Sequence, residues 1–159
     1  MYRVGDYLVY KKDVCKVKEI IEKDTGTFYS LEPVSDSSLK IQASINSDGI
    51  RELITKKELD NLINNISNIE IIDCDEKMIE YEYKQLLCSV NKEDLIKLIK
   101  TTYLRNKYRL ENKKRKNLRD SEYMEKAEKL LYTEIGVVLN LTFEETKNFI
   151  INKVESMVA

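Results

Sequence analysis

The hydrophobic period of this chain changes near Thr55, and this change constrains the fold more than any other feature. Before it, apolar residues alternate with polar ones in short runs, most cleanly over residues 39–45, and this is the period of a strand. After it, apolar residues recur every three or four positions, which is the period of a helix. The sequence therefore predicts an α+β chain that is β-rich over residues 1–54 and helical over residues 55–159.

The β-rich part predicts five strands joined by short connections. Turn residues separate the apolar runs, and these are Gly5, Gly26, Pro33 and Gly49. The runs place strands at residues 7–10, 14–21, 27–34, 39–45 and 50–54. Five short strands are enough for a small closed β-barrel of Tudor or SH3 size, and this is the architecture that we expect for residues 1–54.

The remaining residues predict an all-α domain of five helices. Thr55 and Glu58 have the spacing of a capping box, as do Thr142 and Glu145. The expected helices span residues 56–66, about 75–88, 92 into the charged segment 105–116, 120–139 and 143–157. A short extended segment is expected at residues 69–72.

Charge is balanced overall and uneven locally. The 159 residues carry a formal net charge of −1, which gives no global attraction to nucleic acid or membranes. The basic segment, residues 97–119, holds ten Lys or Arg and one acid, whereas the acidic segment, residues 70–82, holds six acids and one Lys. Any electrostatic contact with a partner is therefore expected to be local.

Several classes of function lack their usual residues. The chain has no His, and its three Cys are widely spaced, so we expect free thiols and no metal site. It has neither a glycine-rich phosphate loop nor a nucleophile elbow. We expect a protein that is not an enzyme and that uses no cofactor or small-molecule substrate.

The N-terminal residues do not form the apolar segment of a signal peptide. No apolar run approaches the roughly 18 residues of a membrane span. The sequence predicts a cytoplasmic protein, expected to be a monomer, with no membrane partner.

Short motifs occur along the whole chain in a specific order. In the β-rich part these are Val4-Gly5-Asp6 with Val9-Tyr10, then Val14-Cys15-Lys16-Val17, Phe28-Tyr29-Ser30-Leu31, Leu39-Lys40-Ile41 and Gly49-Ile50-Arg51. In the helical part they are Tyr83-Lys84, Leu87-Cys88-Ser89, residues 95–105, and Lys126-Ala127-Glu128-Lys129-Leu130-Leu131 with Glu134-Ile135. Their order resembles the CarD family of bacterial transcription factors, whose N-terminal module is shared with the transcription-repair coupling factor.

The resemblance implies a function and a set of contact residues. Residues 1–54 would form a Tudor-like domain that binds the β subunit of RNA polymerase. The helical domain, residues 55–159, would contact promoter DNA near the upstream edge of the open complex and tune transcription initiation. The residues on the polymerase side are Lys23, Lys40 and Gln42, and those that match the DNA side are Lys84 and Lys126.

The basic segment supplies further candidates for DNA contact. Its residues that are placed to meet phosphates are Arg105, Arg109, Lys113, Lys114, Arg115 and Lys116. Neutralising several phosphates would give salt-dependent binding that tolerates any base sequence. The alternative is an ordinary solvated loop or helix end.

The chain departs from the family pattern, and the missing Trp and the acidic segment favour a second function. The chain has no Trp, whereas some members use one as a wedge at the bubble edge, and the available substitutes are Ile72, Met78, Tyr81 and Tyr83. The acidic segment would also repel phosphates. On the polymerase side, Gln42 replaces a basic residue. The alternative function is a polymerase-binding adaptor that has lost DNA binding.

Overall fold

The computed structural model describes residues 1–89 and 91–158. A five-stranded antiparallel sheet comes first and five α-helices follow it, so the α+β prediction is confirmed. The chain divides into two compact units, Met1–Thr55 and Lys56–Ala159.

The strands of the first unit follow the predicted order with different lengths. They are β1 Tyr7–Tyr10, β2 Asp13–Lys23, β3 Gly26–Pro33, β4 Ile41–Ser44 and β5 Ile50–Arg51. The β2–β3 hairpin turns tightly, with Lys23 paired to Gly26. Gly26 has φ +133°, a conformation that side-chain-bearing residues rarely adopt, which explains the glycine at this turn.

The sheet is open, which corrects the prediction of a closed barrel. Its order is β4-β3-β2-β1-β5, and within residues 1–89 and 91–158 the end strands do not pair with each other. The predicted strands at residues 39–45 and 50–54 shorten to four and two residues. Such short end strands present few backbone groups for a closing ladder.

Cross-strand pairs build the core of the first unit. Leu8 lies opposite Cys15, and Val17 lies opposite Leu31. All four side chains are buried, together with Tyr29 and Ala43. A bulge after Val17 shifts the register of β2 by one residue. Ile20 therefore packs against the same core, although it lies three positions after Val17.

The second unit consists of five helices and one turn of 3-10 helix. The helices are α1 Lys56–Asn64, α2 Glu76–Cys88, α3 Lys92–Glu111, α4 Leu118–Leu139 and α5 Phe143–Val158, and the 3-10 turn is Ile66–Asn68. Helix α3 continues into the charged segment 105–116, as predicted, and ends at Glu111. Residues 69–72 belong to no strand, and Ile69 has extended backbone angles, φ −76° and ψ 115°, as expected for the start of a short extended segment.

Side-chain hydrogen bonds to backbone N–H groups cap the first turns of three helices. Oε1 of Glu145 accepts from the Thr142 N–H at 3.0 Å, and the Thr142 hydroxyl accepts from the Glu145 N–H at 3.2 Å. This capping box at α5 confirms the predicted one. Asn91 and Asn117 cap α3 and α4 through their side chains.

A buried lysine joins the 3-10 turn to α3. Lys100 is 6% exposed, and its Nζ donates to the carbonyls of Ile66 at 2.9 Å and Ile69 at 2.8 Å. Three residues after Ile69, the Ile72 N–H donates to the Thr101 hydroxyl at 3.1 Å. The irregular segment before α2 is therefore held along α3.

Gly136 allows the α4–α5 turn to close. A Cβ at this position would lie 2.9 Å from the Leu141 carbonyl and 3.1 Å from the Thr146 hydroxyl. The Leu141 N–H donates to the Gly136 carbonyl at 2.9 Å, and Asn140 takes the left-handed conformation at φ 57°. This is the geometry of a Schellman end, and α5 returns directly against α4.

Candidate functional site

A buried carboxylate lies among the residues that the sequence assigned to DNA. Asp120 is fully buried, and its Oδ2 accepts from Arg105 Nε at 2.9 Å and from Arg109 Nη1 at 2.8 Å. Its Oδ1 accepts from the Tyr83 hydroxyl at 2.8 Å. One side chain of α4 thus links α2 and α3 through charge-assisted hydrogen bonds.

Helix geometry explains why these groups meet. Arg105 and Arg109 are four residues apart on α3 and therefore share one face. Asp120 lies in the first turn of α4, where its N–H donates to the cap residue Asn117 at 3.0 Å. Asn106 also aligns the two helices, because its Oδ1 accepts from the Asn117 N–H at 2.8 Å.

A second carboxylate extends the cluster to the surface. Glu76, at the start of α2, accepts from Arg105 Nη2 at 2.5 Å and from Arg119 Nη2 at 3.0 Å. Arg119 also lies near Asp120, with Nε and Oδ1 3.8 Å apart. We call the set Glu76, Tyr83, Arg105, Arg109, Arg119 and Asp120 the Asp120 cluster. In it, one residue of the acidic segment neutralises part of the basic segment.

The pKa values of the acids follow from these contacts. Burial alone would raise the pKa of Asp120, but hydrogen bonds from Arg109, Arg105 and Tyr83 outweigh it and leave the pKa below its usual value. Hydrogen bonds from Arg105 and Arg119 lower the pKa of Glu76. Both acids are charged at neutral pH, so two negative charges offset part of the charge of the three arginines.

The other predicted basic residues lie in the connection between α3 and α4. We call residues 112–117 the basic loop; it carries Lys113, Lys114, Arg115 and Lys116, all exposed. The Lys114 N–H donates to the Arg109 carbonyl at 2.8 Å, and the Lys113 N–H donates to the Leu110 carbonyl at 3.1 Å. This is a Schellman end in which Lys113, at φ 59°, takes the position usually held by glycine.

The two residues matched to the family's DNA side are exposed and make weak contacts. Lys84 on α2 has its Nζ 3.9 Å from Glu80 Oε1, an exposed pair that contributes little to stability. Lys126 on α4 has its Nζ 5.1 Å from the centre of the Tyr123 ring, within cation–π range. Both ammonium groups lie at the surface.

The substitutes for the missing wedge Trp lie in different environments. Tyr83 is fully buried and belongs to the Asp120 cluster, so it is not available to face DNA. Ile72 is partly buried, and its backbone is tied to Thr101. Met78 and Tyr81 are exposed on α2.

An open cleft of about 420 Å³ borders the Asp120 cluster. Its lining residues come from the segment before α2, from α2, from α3 and from the basic loop, and they are Ile71, Glu76, Leu104, Arg105, Tyr108, Arg109 and Lys114. Three cations and one carboxylate therefore face a space that also has apolar walls. We call it the α3 cleft.

The predicted polymerase-side residues lie on the first unit and are all exposed. Lys23 Nζ donates to Gln42 Oε1 at 2.8 Å, which brings the end of β2 and the edge strand β4 together across β3. Lys23 also lies over the Phe28 ring at 5.4 Å. Lys40 directly precedes β4. The first unit thus presents a polar pair, a partly exposed ring and a nearby cation.

Sequence reasoning missed Asp120 and Glu76 as partners of the arginines. Asp120 was read as a helix start, and Glu76 as part of a repulsive acidic segment. A signal was present, because Arg105 and Arg109 share a helix face and a short polar connection leads to the acid. Nothing in the local pattern indicated that Tyr83 would complete the site.

Neither protein-family models nor curated proteins match this sequence. In residues 1–89 and 91–158, no three Cys, Asp or Glu side chains are grouped as a metal site. Of the described helices, none is both long and apolar enough to cross a membrane.

Proposed function

We propose that this protein is a bacterial transcription regulator of the CarD type. Its first unit, a Tudor-like module, binds the RNA polymerase β subunit, and its helical unit contacts promoter DNA near the upstream edge of the open complex. The protein is cytoplasmic and is not an enzyme. Two modest contacts on partners that are already assembled act together, because the second contact becomes intramolecular.

The observation that carries the polymerase half is the pairing of Lys23 with Gln42 beside the edge strand β4. These are the positions that the family resemblance assigns to polymerase. An edge strand offers unpaired backbone groups to an extended segment of a partner, and neighbouring side chains supply specificity. Lys40, exposed just before β4, adds a positive charge for an acidic partner residue.

The basic loop supports the DNA half. It presents four consecutive cationic residues, and among residues 1–89 and 91–158 none of their side chains has a hydrogen-bond or ion-pair partner. Each phosphate that such a residue neutralises adds about 0.9 to the slope of log affinity against log salt. Lys84 and Lys126 would extend this contact.

The ion pairs of the Asp120 cluster favour a second candidate, an adaptor that binds polymerase without binding DNA. Arg105 and Arg109 are already paired with a buried carboxylate, which reduces the positive charge available for phosphates. Exposed acids on α2 weaken the attraction further. The two candidates share the polymerase contact and differ only in the helical unit.

The polymerase contact is tested by charge reversal. The variant Lys23→Glu with Lys40→Glu should lose co-purification with the polymerase β subunit while it keeps its circular dichroism spectrum, because both side chains are exposed. A matched control is Lys56→Glu with Lys57→Glu, which reverses two exposed charges of α1 outside the proposed interface and should co-purify normally. Binding of the first variant at physiological salt would place the interface elsewhere.

DNA contact is tested by a salt titration on forked promoter DNA, with and without polymerase. The regulator should show a negative salt slope that becomes shallower when Lys113, Lys114, Arg115 and Lys116 are all replaced by Gln. No salt slope in the presence of polymerase would identify the adaptor instead.

A further inference from the structure

The α3 cleft combines cations with an exposed aromatic ring. We propose that it binds a nucleotide, with the phosphate at Lys114 and Arg109 and the base against Tyr108. Nucleotide binding here goes beyond the proposed function and does not depend on polymerase binding by the first unit. The ligand is either a free mononucleotide or one nucleotide of a single strand, because both present the same base and phosphate.

The phosphate end is defined by groups with remaining capacity for hydrogen bonds. Within the described residues, Arg109 donates to its partners through Nη1 alone, which leaves the rest of its guanidinium for a ligand. Lys114 is exposed, and its side chain has no partner in residues 1–89 and 91–158. In the Schellman end the Lys114 N lies 2.8 Å from the Arg109 carbonyl oxygen, so the two basic side chains leave the backbone at neighbouring positions.

The base end is defined by an apolar wall. Leu104 and Tyr108 are four residues apart on α3 and therefore share a face, and Ile71, from the segment before α2, also lines the cleft. Tyr108 is 65% exposed, so its ring is accessible to a ligand. Stacking on an aromatic side chain is the common way to hold a base without reading its identity.

The walls are fixed before any ligand arrives. Lys100 holds the Ile69 carbonyl and Thr101 holds the Ile72 N–H, so the backbone on both sides of Ile71 is tied to α3. Arg105 is held between Glu76 and Asp120. A preformed site avoids part of the ordering cost of binding.

Charge and size select the class of ligand. Arg105 is paired with Glu76 and Asp120, and Arg109 is paired with Asp120, so the lining cation without an acidic partner among the described residues is Lys114. A bare anion would leave the apolar wall unused, and an apolar ligand would leave the cations unused. The volume of about 420 Å³ lies within the range of sites for small organic ligands.

The test is a titration of the ¹⁵N-labelled full chain with adenosine monophosphate, inorganic phosphate, a short single-stranded oligonucleotide and the matching duplex. Amide shifts should cluster at the cleft residues of α3 and the basic loop. Adenosine monophosphate or the single strand should bind at least about tenfold more tightly than phosphate, since stacking adds to the charge contact. If the ligand is a free nucleotide, adenosine monophosphate binds. If the ligand is one nucleotide of a single strand, only the oligonucleotide binds.

Variants separate stacking from charge. Tyr108→Ala should weaken binding by about 5- to 150-fold, the range for loss of one stacked base, and Tyr108→Phe should restore it. Lys114→Glu should abolish binding, whereas Lys107→Glu, an equal charge change at an exposed position of α3 outside the cleft, should leave it within about twofold.

Three results would overturn nucleotide binding at the cleft. These are phosphate binding as tight as nucleotide binding, an unchanged affinity in Tyr108→Ala, and shifts that lie outside the cleft. If any of them occurs while the chain still co-purifies with polymerase, only the cleft assignment fails and the proposed function stands.

Discussion

The Tyr83 hydroxyl donates a 2.8 Å hydrogen bond to Oδ1 of Asp120, although 37 positions separate the two residues. Together with two arginines, this bond satisfies a carboxylate that has no exposure to solvent. We expect Asp120→Asn to destabilise the helical unit by about 3–5 kcal/mol, because it leaves charged arginines without their buried partner. Urea unfolding followed by circular dichroism measures this. Asp60→Asn, an exposed change on α1, should stay within about 0.5 kcal/mol of the parent.

We expect the charge of Asp120 to stabilise the fold near neutral pH and to lose this effect in acid. The pKa of Asp120 in the fold lies below its ordinary value of 3.8. The charged form therefore stabilises the fold above that value, and this contribution is lost as the pH falls through the lower, folded pKa. The stability difference between the parent and Asp120→Asn should accordingly be largest near neutral pH and shrink in acid. A difference that is independent of pH would show that the charge of Asp120 does not stabilise the fold.

Glu128 predicts the opposite pH dependence. It is buried on α4, and its Oε2 lies 3.8 Å from Lys147 Nζ without a hydrogen bond from any described residue. Burial raises its pKa above the ordinary 4.5, so the folded state is penalised once the pH rises through the folded pKa. Glu128→Gln should be more stable than the parent at high pH, and this advantage should disappear below 4.5. Urea midpoints across the pH range measure it; a parent that is more stable at high pH would contradict it.

Replacing Gly136 with alanine should destabilise the protein, although alanine normally favours helices. Alanine gains about 1 kcal/mol over glycine in a helix interior. Here its Cβ would lie 2.9 Å from the Leu141 carbonyl, and displacing that backbone costs about 1–3 kcal/mol. Gly136→Ala should therefore lower the thermal midpoint, whereas Glu125→Ala at an exposed position of the same helix should not. An increase would mean that the α4–α5 turn is more compliant than its geometry indicates.

Lys113 offers a stabilising change. Its φ of 59° places a Cβ-bearing residue where glycine is favoured, so Lys113→Gly should raise the free energy of unfolding by about 0.5–1 kcal/mol. Lys116→Gly is the matched control, since it removes the same charge from the same loop at a position without positive φ. Equal effects of the two variants would assign the gain to charge and not to backbone conformation.

The sequence was most informative where the cause is local. Alternation located strands of the sheet, and the Thr142 and Glu145 spacing located the start of α5, because both depend on neighbours a few residues apart. Closure of the sheet was predicted wrongly, since it depends on whether distant end strands are long enough to meet.

The ion pairs of Arg105 and Arg109 also could not be predicted from the neighbouring sequence. Arg105 and Arg109 belong to a run of charges, and such runs are usually solvated. Their partner Asp120 comes into reach only because α3 ends at Glu111 and the basic loop reverses the chain. The α3 cleft depends on the same reversal together with the tie between Lys100 and the segment before α2, which no periodicity reports.

The Asp120 cluster also constrains how this protein can change through evolution. Loss of Asp120 would leave two arginines without their buried partner, and loss of Tyr83 or of one arginine would leave the buried carboxylate with fewer donors. Descendants should therefore either retain Tyr83, Arg105, Arg109 and Asp120 together or replace them together with apolar residues. The side chains of the basic loop have no such partners among the described residues, so a change of charge there leaves the Asp120 cluster intact.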